Sequence, residues 1–162
     1  MAEPDVGVQA PDFDLPRDGG GRVNLKEFRG KPVILFFYPK DDTSGCTVES
    51  IAFTALASDF DRAGAVVIGM SPDSVKKHDN FIKKHALGVI LASDEARTAL
   101  EAYGVWKEKS LYGRKYMGVE RTTFLIGPDG RIAKMWNKVK VAGHAEDVLT
   151  ATRELSELSI RP

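Results

Sequence analysis

The run Val33-Ile34-Leu35-Phe36-Phe37-Tyr38 constrains the fold more than any other part of the chain. It is continuous, rich in β-branched and aromatic side chains, and stopped by Pro39, the pattern of a strand covered on both faces. Such a strand needs a layer above it and another below. Three similar runs follow, Val66 to Met70, Val89 to Ala92 and Thr122 to Ile126. The last leads through Pro128-Asp129-Gly130 into Arg131 to Trp136, a turn signature joining an antiparallel pair. Between the runs the period becomes helical. Val48, Ile51, Ala52, Ala55, Leu56 and Phe60 form one stripe, with Glu49, Asp59 and Asp61 off it. Ser74 to His85 and Glu95 to Tyr103 also read as helices, the second capped by Asp94. So does Ala145 to Leu158, whose stripe uses Val148, Leu149, Thr152 and Leu155.

Gly88 and Gly104 fall just past helical stretches, where a left-handed residue is expected. Gly19-Gly20-Gly21 lies between two short extended segments and reads as a hairpin turn. Strands alternating with helices predict an α/β sandwich, and the terminal antiparallel pair makes its sheet mixed. With roughly 150 residues per domain as a guide, the 162 residues are expected to form a single domain, 1–162.

Charge and composition exclude several functions. Lys and Arg (23) balance Asp and Glu (23), which removes the electrostatic footprint of a general nucleic-acid or anionic-membrane binder. No apolar run approaches the roughly 18 residues of a membrane span. Glu3 and Asp5 stand where a secretory signal would be basic, so a cytoplasmic address is expected. Phosphate-loop and dinucleotide glycine motifs are missing. Gly69-Met70-Ser71-Pro72-Asp73 begins like a nucleophile elbow but lacks the second glycine, which leaves Ser71 as a turn residue. His78, His85 and His144 are scattered and read as surface histidines, and with a single cysteine no metal or cofactor site is expected. Tyr112, Arg114, Lys115 and Tyr116 read as a solvated loop rather than a nucleic-acid patch.

Cys46 is the exception, because of its position. It follows the polar loop Lys40-Asp41-Asp42-Thr43-Ser44-Gly45 and opens a periodic helix. Ligands in α/β sheets bind beyond the carboxyl ends of strands, and unpaired N–H groups at a helix start favour an anion such as a thiolate. A buried cysteine acting as a small hydrophobe is the competing reading. Thr43-x-x-Cys46 puts a hydroxyl where a Cys-x-x-Cys redox pair would have its first sulfur, so no local disulfide can form. A thiolate beside a hydroxyl suits a substrate that oxidises sulfur once to sulfenic acid. Thr43 as a simple turn-former is the alternative.

The spacing Pro39-x-x-x-Thr43-x-x-Cys46 resembles the peroxidatic loop of peroxiredoxins. The fuller stretch Phe37 to Glu49 is similar to the peroxiredoxin Q branch, also called bacterioferritin comigratory protein. Further similar blocks are Tyr103-Gly104-Val105-Trp106, Tyr112 to Gly118, Arg121 to Ile126, and Val139 to His144. The resemblance runs from about Val8 to Leu155 and implies a thioredoxin-like fold with an N-terminal β-hairpin. It also implies reduction of hydrogen peroxide and organic hydroperoxides without a cofactor. Carried over, Cys46 is the peroxidatic cysteine, Thr43 the hydroxyl contacting the peroxide, and Arg121 the cation beside the sulfur. Pro39 would shield the site, Gly45 would contribute to substrate binding at the helix start, and Glu49 would orient the arginine.

The chain departs from that pattern in four places. Ile51 and the segment Asn80-Phe81-Ile82-Lys83 occupy the places of resolving cysteines in the branch, Ser44 replaces a proline, and Gly127 replaces an aspartate. The resemblance is therefore to a one-cysteine peroxiredoxin resolved by an external thiol: thioredoxin, glutaredoxin, a low-molecular-weight thiol or a second copy. Monomer and weak homodimer remain open. The competing function is a non-catalytic thioredoxin-like binding or holdase module.

Overall fold

A computed structural model describes residues 3–160; the two residues at each end of the expected 1–162 domain lie outside the described residues. In chain order the elements are β1 (Asp14–Pro16), β2 (Arg22–Asn24), β3 (Val33–Phe37), α1 (Ser44–Ala55), α2 (Ala57–Arg62), β4 (Val66–Ser71) and α3 (Val75–His85). There follow β5 (Ile90–Ser93), α4 (Thr98–Ala102), β6 (Trp106–Leu111), β7 (Arg114–Val119), β8 (Thr122–Ile126), β9 (Ile132–Trp136) and α5 (His144–Ile160). The central sheet has the order β5-β4-β3-β8-β9, parallel on the β5-β4-β3 side and antiparallel on the other, so the mixed sheet expected from the sequence is present.

β3 occupies the middle of this sheet, and its alternation divides the core. Val33, Leu35 and Phe37 enter one cluster with Leu100, Tyr103 and Phe124. Ile34, Phe36 and Tyr38 enter the other with Phe53, Phe60, Phe81 and Val148. Successive side chains of a strand point to opposite faces, which is why an unbroken apolar run marks a two-sided strand. On the second face Gly69 of β4 is needed for space. A Cβ there would come within 2.6 Å of the Phe36 ring and 2.9 Å of Leu91.

The N-terminal hairpin pairs β1 with β2 through a turn in which Gly19, Gly20 and Gly21 all have positive φ. Asp18 then exchanges hydrogen bonds with Leu91, its N–H donating to the carbonyl and its carboxylate accepting from the amide. The hairpin thereby covers the β5 edge of the sheet.

Several expectations need correction. The apolar stripe Val48/Ile51 faces solvent, with the two residues 56% and 43% exposed. The buried face of α1 instead carries Cys46, Glu49, Ser50 and Phe53, spaced i, i+3, i+4, i+7. A buried glutamate defeats a reading based on hydrophobicity, and its partner lies 72 residues away. Phe60 is buried as expected but belongs to a second helix, because the chain breaks between α1 and α2 at Leu56. Gly104 has positive φ, but after α3 the left-handed residue is Ala86 (φ 51), not Gly88. Asp94 does accept the N–H of Leu100 at 2.8 Å, although α4 begins only at Thr98. Ser71 ends β4.

The segment Tyr112 to Tyr116, read as a solvated loop, is the turn and the first half of β7, which pairs with β6 in a separate two-stranded sheet. Tyr112 and Gly113 both have positive φ at its turn, the conformation that suits a tight hairpin. Arg114 to Met117 are solvent-exposed, as expected, but as a strand. Long polar side chains on both faces give no apolar alternation to read.

Candidate active site

Pro39 ends β3 and the loop Lys40 to Thr43 carries the chain to α1, at the carboxyl edge of the central strand. Thr43 is the N-cap residue with extended backbone (φ −88, ψ 155), but its side chain caps nothing. Its hydroxyl donates instead to the Lys40 carbonyl at 2.7 Å. The first intrahelical bond of α1 runs from the Thr47 N–H to the Thr43 carbonyl. The amides of Ser44, Gly45 and Cys46 are therefore without intrahelical partners, at the positive end of the helix dipole.

Cys46, the third residue of α1, is 1% exposed. Arg121, between β7 and β8, lies against it: Nη2 donates to Cys46 Sγ at 3.3 Å and Nη1 donates to Glu49 Oε1 at 2.8 Å. One planar guanidinium thus bridges sulfur and carboxylate, a geometry that a lysine cannot reproduce. Gly45 makes room for it, since a Cβ there would stand 3.1 Å from Arg121 Nη2. Burial works against the Arg121 charge, but Glu49 and Cys46 outweigh it and raise the pKa further.

Glu49 is 1% exposed, and its Oε2 has no hydrogen-bond partner. Burial pushes its carboxyl up to about 7, with Arg121 opposing that rise. An acid with a raised folded-state pKa holds a proton that the unfolded chain has lost. Stability is therefore greatest below the ordinary carboxyl range and falls as pH rises through about 7. The size of that fall is about 3 kcal/mol for this group. A Glu49→Gln variant is expected to lose this pH slope, as measured by urea denaturation of variant and wild type from pH 4.5 to pH 8.

Of the residues singled out in the sequence, the structure brings Gly45, Cys46, Glu49 and Arg121 into contact. Thr43 occupies the N-cap position of the same helix with its hydroxyl directed at Lys40, and Pro39 is half-buried just beyond the strand end. Sequence reasoning missed Lys109 on β6. Its stem lies over Gly118, with Cδ 3.3 Å from where a Cβ would be. Burial and Arg121 hold its ammonium below the usual lysine range, and it also feels the Cys46 charge. No sequence signal marks it, because β6 has no apolar run or alternation to announce a strand.

The histidines are a second correction, since His78 and His144 are buried and His85 is partly so. His144 opens α5, is hydrogen-bonded to the Thr123 hydroxyl at 2.8 Å, and is pushed down to about 4 by burial. His78 pairs with Asp41 at 2.6 Å, and His85 with Lys84 holds Asp42.

A family model, described as the AhpC/TSA family, matches residues 6–135. The chain belongs to the AhpC/TSA family. A member from Bacillus subtilis, Peroxiredoxin Bcp, is 44% identical over 153 residues, 94% of this chain and 98% of its own length. Among solved structures, Xanthomonas campestris Peroxiredoxin Q superposes with a TM-score of 0.87 at 43% identity, covering 94% of this chain and 96% of its own. The bacterioferritin comigratory protein of the same organism, studied for its alkyl peroxide reduction activity, gives 0.88 at 42% identity over 94% and 99%. The thioredoxin-like fold expected from the sequence is borne out, and so is the peroxiredoxin assignment. This AhpC/TSA member is an enzyme, a thiol-dependent peroxidase. The non-catalytic binding or holdase module is not favoured. Among the described residues no helix is long and apolar enough to cross a membrane.

Proposed function

We propose that Cys46 is the peroxidatic cysteine and that Thr43, Arg121 and the first amides of α1 hold the hydroperoxide against it. The observation carrying this reading is the Arg121 fork on Cys46 Sγ and Glu49 Oε1. The donor that already meets the sulfur can follow charge as it moves to oxygen. Thr43 spends its hydroxyl proton on the Lys40 carbonyl, which leaves its oxygen to accept the O–H of the incoming peroxide.

The Cys46 thiolate attacks one peroxide oxygen. An S–O bond forms, the O–O bond breaks, and the departing oxygen leaves with a proton as water or alcohol. Sulfur is oxidised by two electrons to sulfenic acid. Glu49 keeps Arg121 in register, Gly45 gives the guanidinium its approach, and Pro39 closes the side of the site nearest β3. Hydrogen peroxide and organic hydroperoxides are the substrate class.

Cys46 is the only sulfur in the chain able to form a disulfide, so the second half of the cycle needs an outside thiol. That thiol condenses with the sulfenic acid, releasing water, and a second thiol displaces it to restore Cys46. Thioredoxin, glutaredoxin and low-molecular-weight thiols all fit this chemistry, in the cytoplasm.

Intact-mass and peptide mass spectrometry test the reading. One equivalent of hydrogen peroxide is expected to add a single oxygen at Cys46 within seconds. A protein that stays reduced, or oxidises only at its methionines, would falsify it.

A further inference from the structure

Beneath the loop that carries Thr43 lies a buried polar network that the peroxidase chemistry does not use. Tyr38 donates its hydroxyl to Asp41 Oδ1 at 2.5 Å, and His78 Nδ1 lies 2.6 Å from Asp41 Oδ2. His78 Nε2 faces the Ala92 carbonyl at 2.9 Å, and a carbonyl can only accept, so that nitrogen carries a proton. Burial alone would lower the His78 pKa, but its bond to Asp41 outweighs this and raises it. The backbone N–H of Asp41 donates to Asp73 Oδ2 at 2.8 Å, and Ser71 Oγ donates to the same oxygen at 2.7 Å. Tyr38, Asp41, Ser71, Asp73 and His78 are all buried.

One peptide unit joins this network to the candidate active site. The Asp41 N–H held by Asp73 and the Lys40 carbonyl that receives the Thr43 hydroxyl belong to the same planar group. Fixing one end fixes the direction of the other. We infer that Asp73 is a positioning residue, which locks the Lys40–Asp41 peptide plane so that the Thr43 oxygen presents its lone pairs to the hydroperoxide. Asp41 and His78 hold the same loop from its side-chain face. This rests on the assignment of Thr43 to peroxide binding given above.

A double-mutant cycle tests it, with the rate of Cys46 oxidation by hydrogen peroxide as the readout. Asp73→Ala is expected to slow oxidation about 10-fold, the scale of a misplaced reacting group. Asp73→Asn, which keeps an acceptor oxygen, is expected to recover most of that loss. In a Thr43→Val background Asp73→Ala is expected to cost nothing further, because its effect passes through the hydroxyl. Alkylation of Cys46 by iodoacetamide, which does not use Thr43, is expected to stay within about two-fold of wild type. The inference is overturned if Asp73→Ala costs as much in the Thr43→Val background, if alkylation slows in parallel with oxidation, or if Asp73→Asn is no better than alanine. Should Asp73→Ala fail to fold, Asp73→Ser takes its place in the cycle and in all three comparisons. The wild-type rate in the same series separates the two ideas. An unreactive wild-type Cys46 sinks the peroxidase roles, whereas a reactive wild type matched by Asp73→Ala sinks only the positioning role.

Discussion

Replacing Arg121 with methionine is expected to slow oxidation of Cys46 by hydrogen peroxide by about 10²–10³-fold, the usual cost of removing one preorganised donor to a developing negative charge. Stopped-flow rates at fixed pH would check it. Two effects act together. The sulfur loses the Nη2 contact at 3.3 Å, and Glu49 loses its 2.8 Å partner while remaining buried. Without Arg121 the raised Glu49 carboxyl takes up a proton and stays buried without that partner, which typically costs about 1–3 kcal/mol of stability. The two can be separated by combining Arg121→Met with Glu49→Leu, which removes the stranded polar group and should recover stability without restoring rate. Arg121→Lys keeps the charge but not the fork, so it is expected to reach only one of the two partners. An Arg121→Met enzyme that oxidises at the wild-type rate would remove the guanidinium from the mechanism.

Phe53→Ala is expected to cost about 3–5 kcal/mol of folding stability, as truncation of a buried aromatic generally does. Phe53 is fully buried and stacks on Phe36 with ring centroids 4.6 Å apart. It also meets Phe60 at 5.9 Å and the edge of His144 at 5.9 Å. It therefore joins the central strand, α2 and α5 to the helix that carries Cys46 in its first turn. Urea denaturation monitored by circular dichroism would measure the loss, and a change below about 1 kcal/mol would mean that the site collapses around the cavity.

Four strands of the central sheet were legible in the sequence as apolar runs and β9 through the turn that leads into it, and burial on both faces of β3 leaves no polar gap to confuse the pattern. The β6–β7 hairpin was not, since its strands carry Lys, Glu, Arg and Tyr toward solvent and show no apolar alternation. α1 was found, but its inward face was misassigned. The rule that apolar residues face inward fails where Arg121 neutralises a buried Glu49 from far along the chain. His78 and His144 were misplaced for a related reason. Their partners, Asp41 and Thr123, lie 37 and 21 residues away, and nothing local to either histidine announces them. Within the site, position alone made Cys46 a candidate, whereas Arg121 entered only through family resemblance. A helix start can be read locally; a guanidinium delivered by tertiary packing cannot.

The near-complete burial of Cys46 would set a tempo for the proposed cycle. Hydrogen peroxide is a small molecule, whereas a protein thiol needs a straight line of approach along the new S–O bond. If such a partner is to arrive, the opening turn of α1 would have to fray, and helix ends open more readily than the core of a fold. With abundant reductant, recovery of the enzyme would then level off at the pace of that fraying. Breathing of one helix end, rather than the grip of the partner, would govern how often the enzyme turns over.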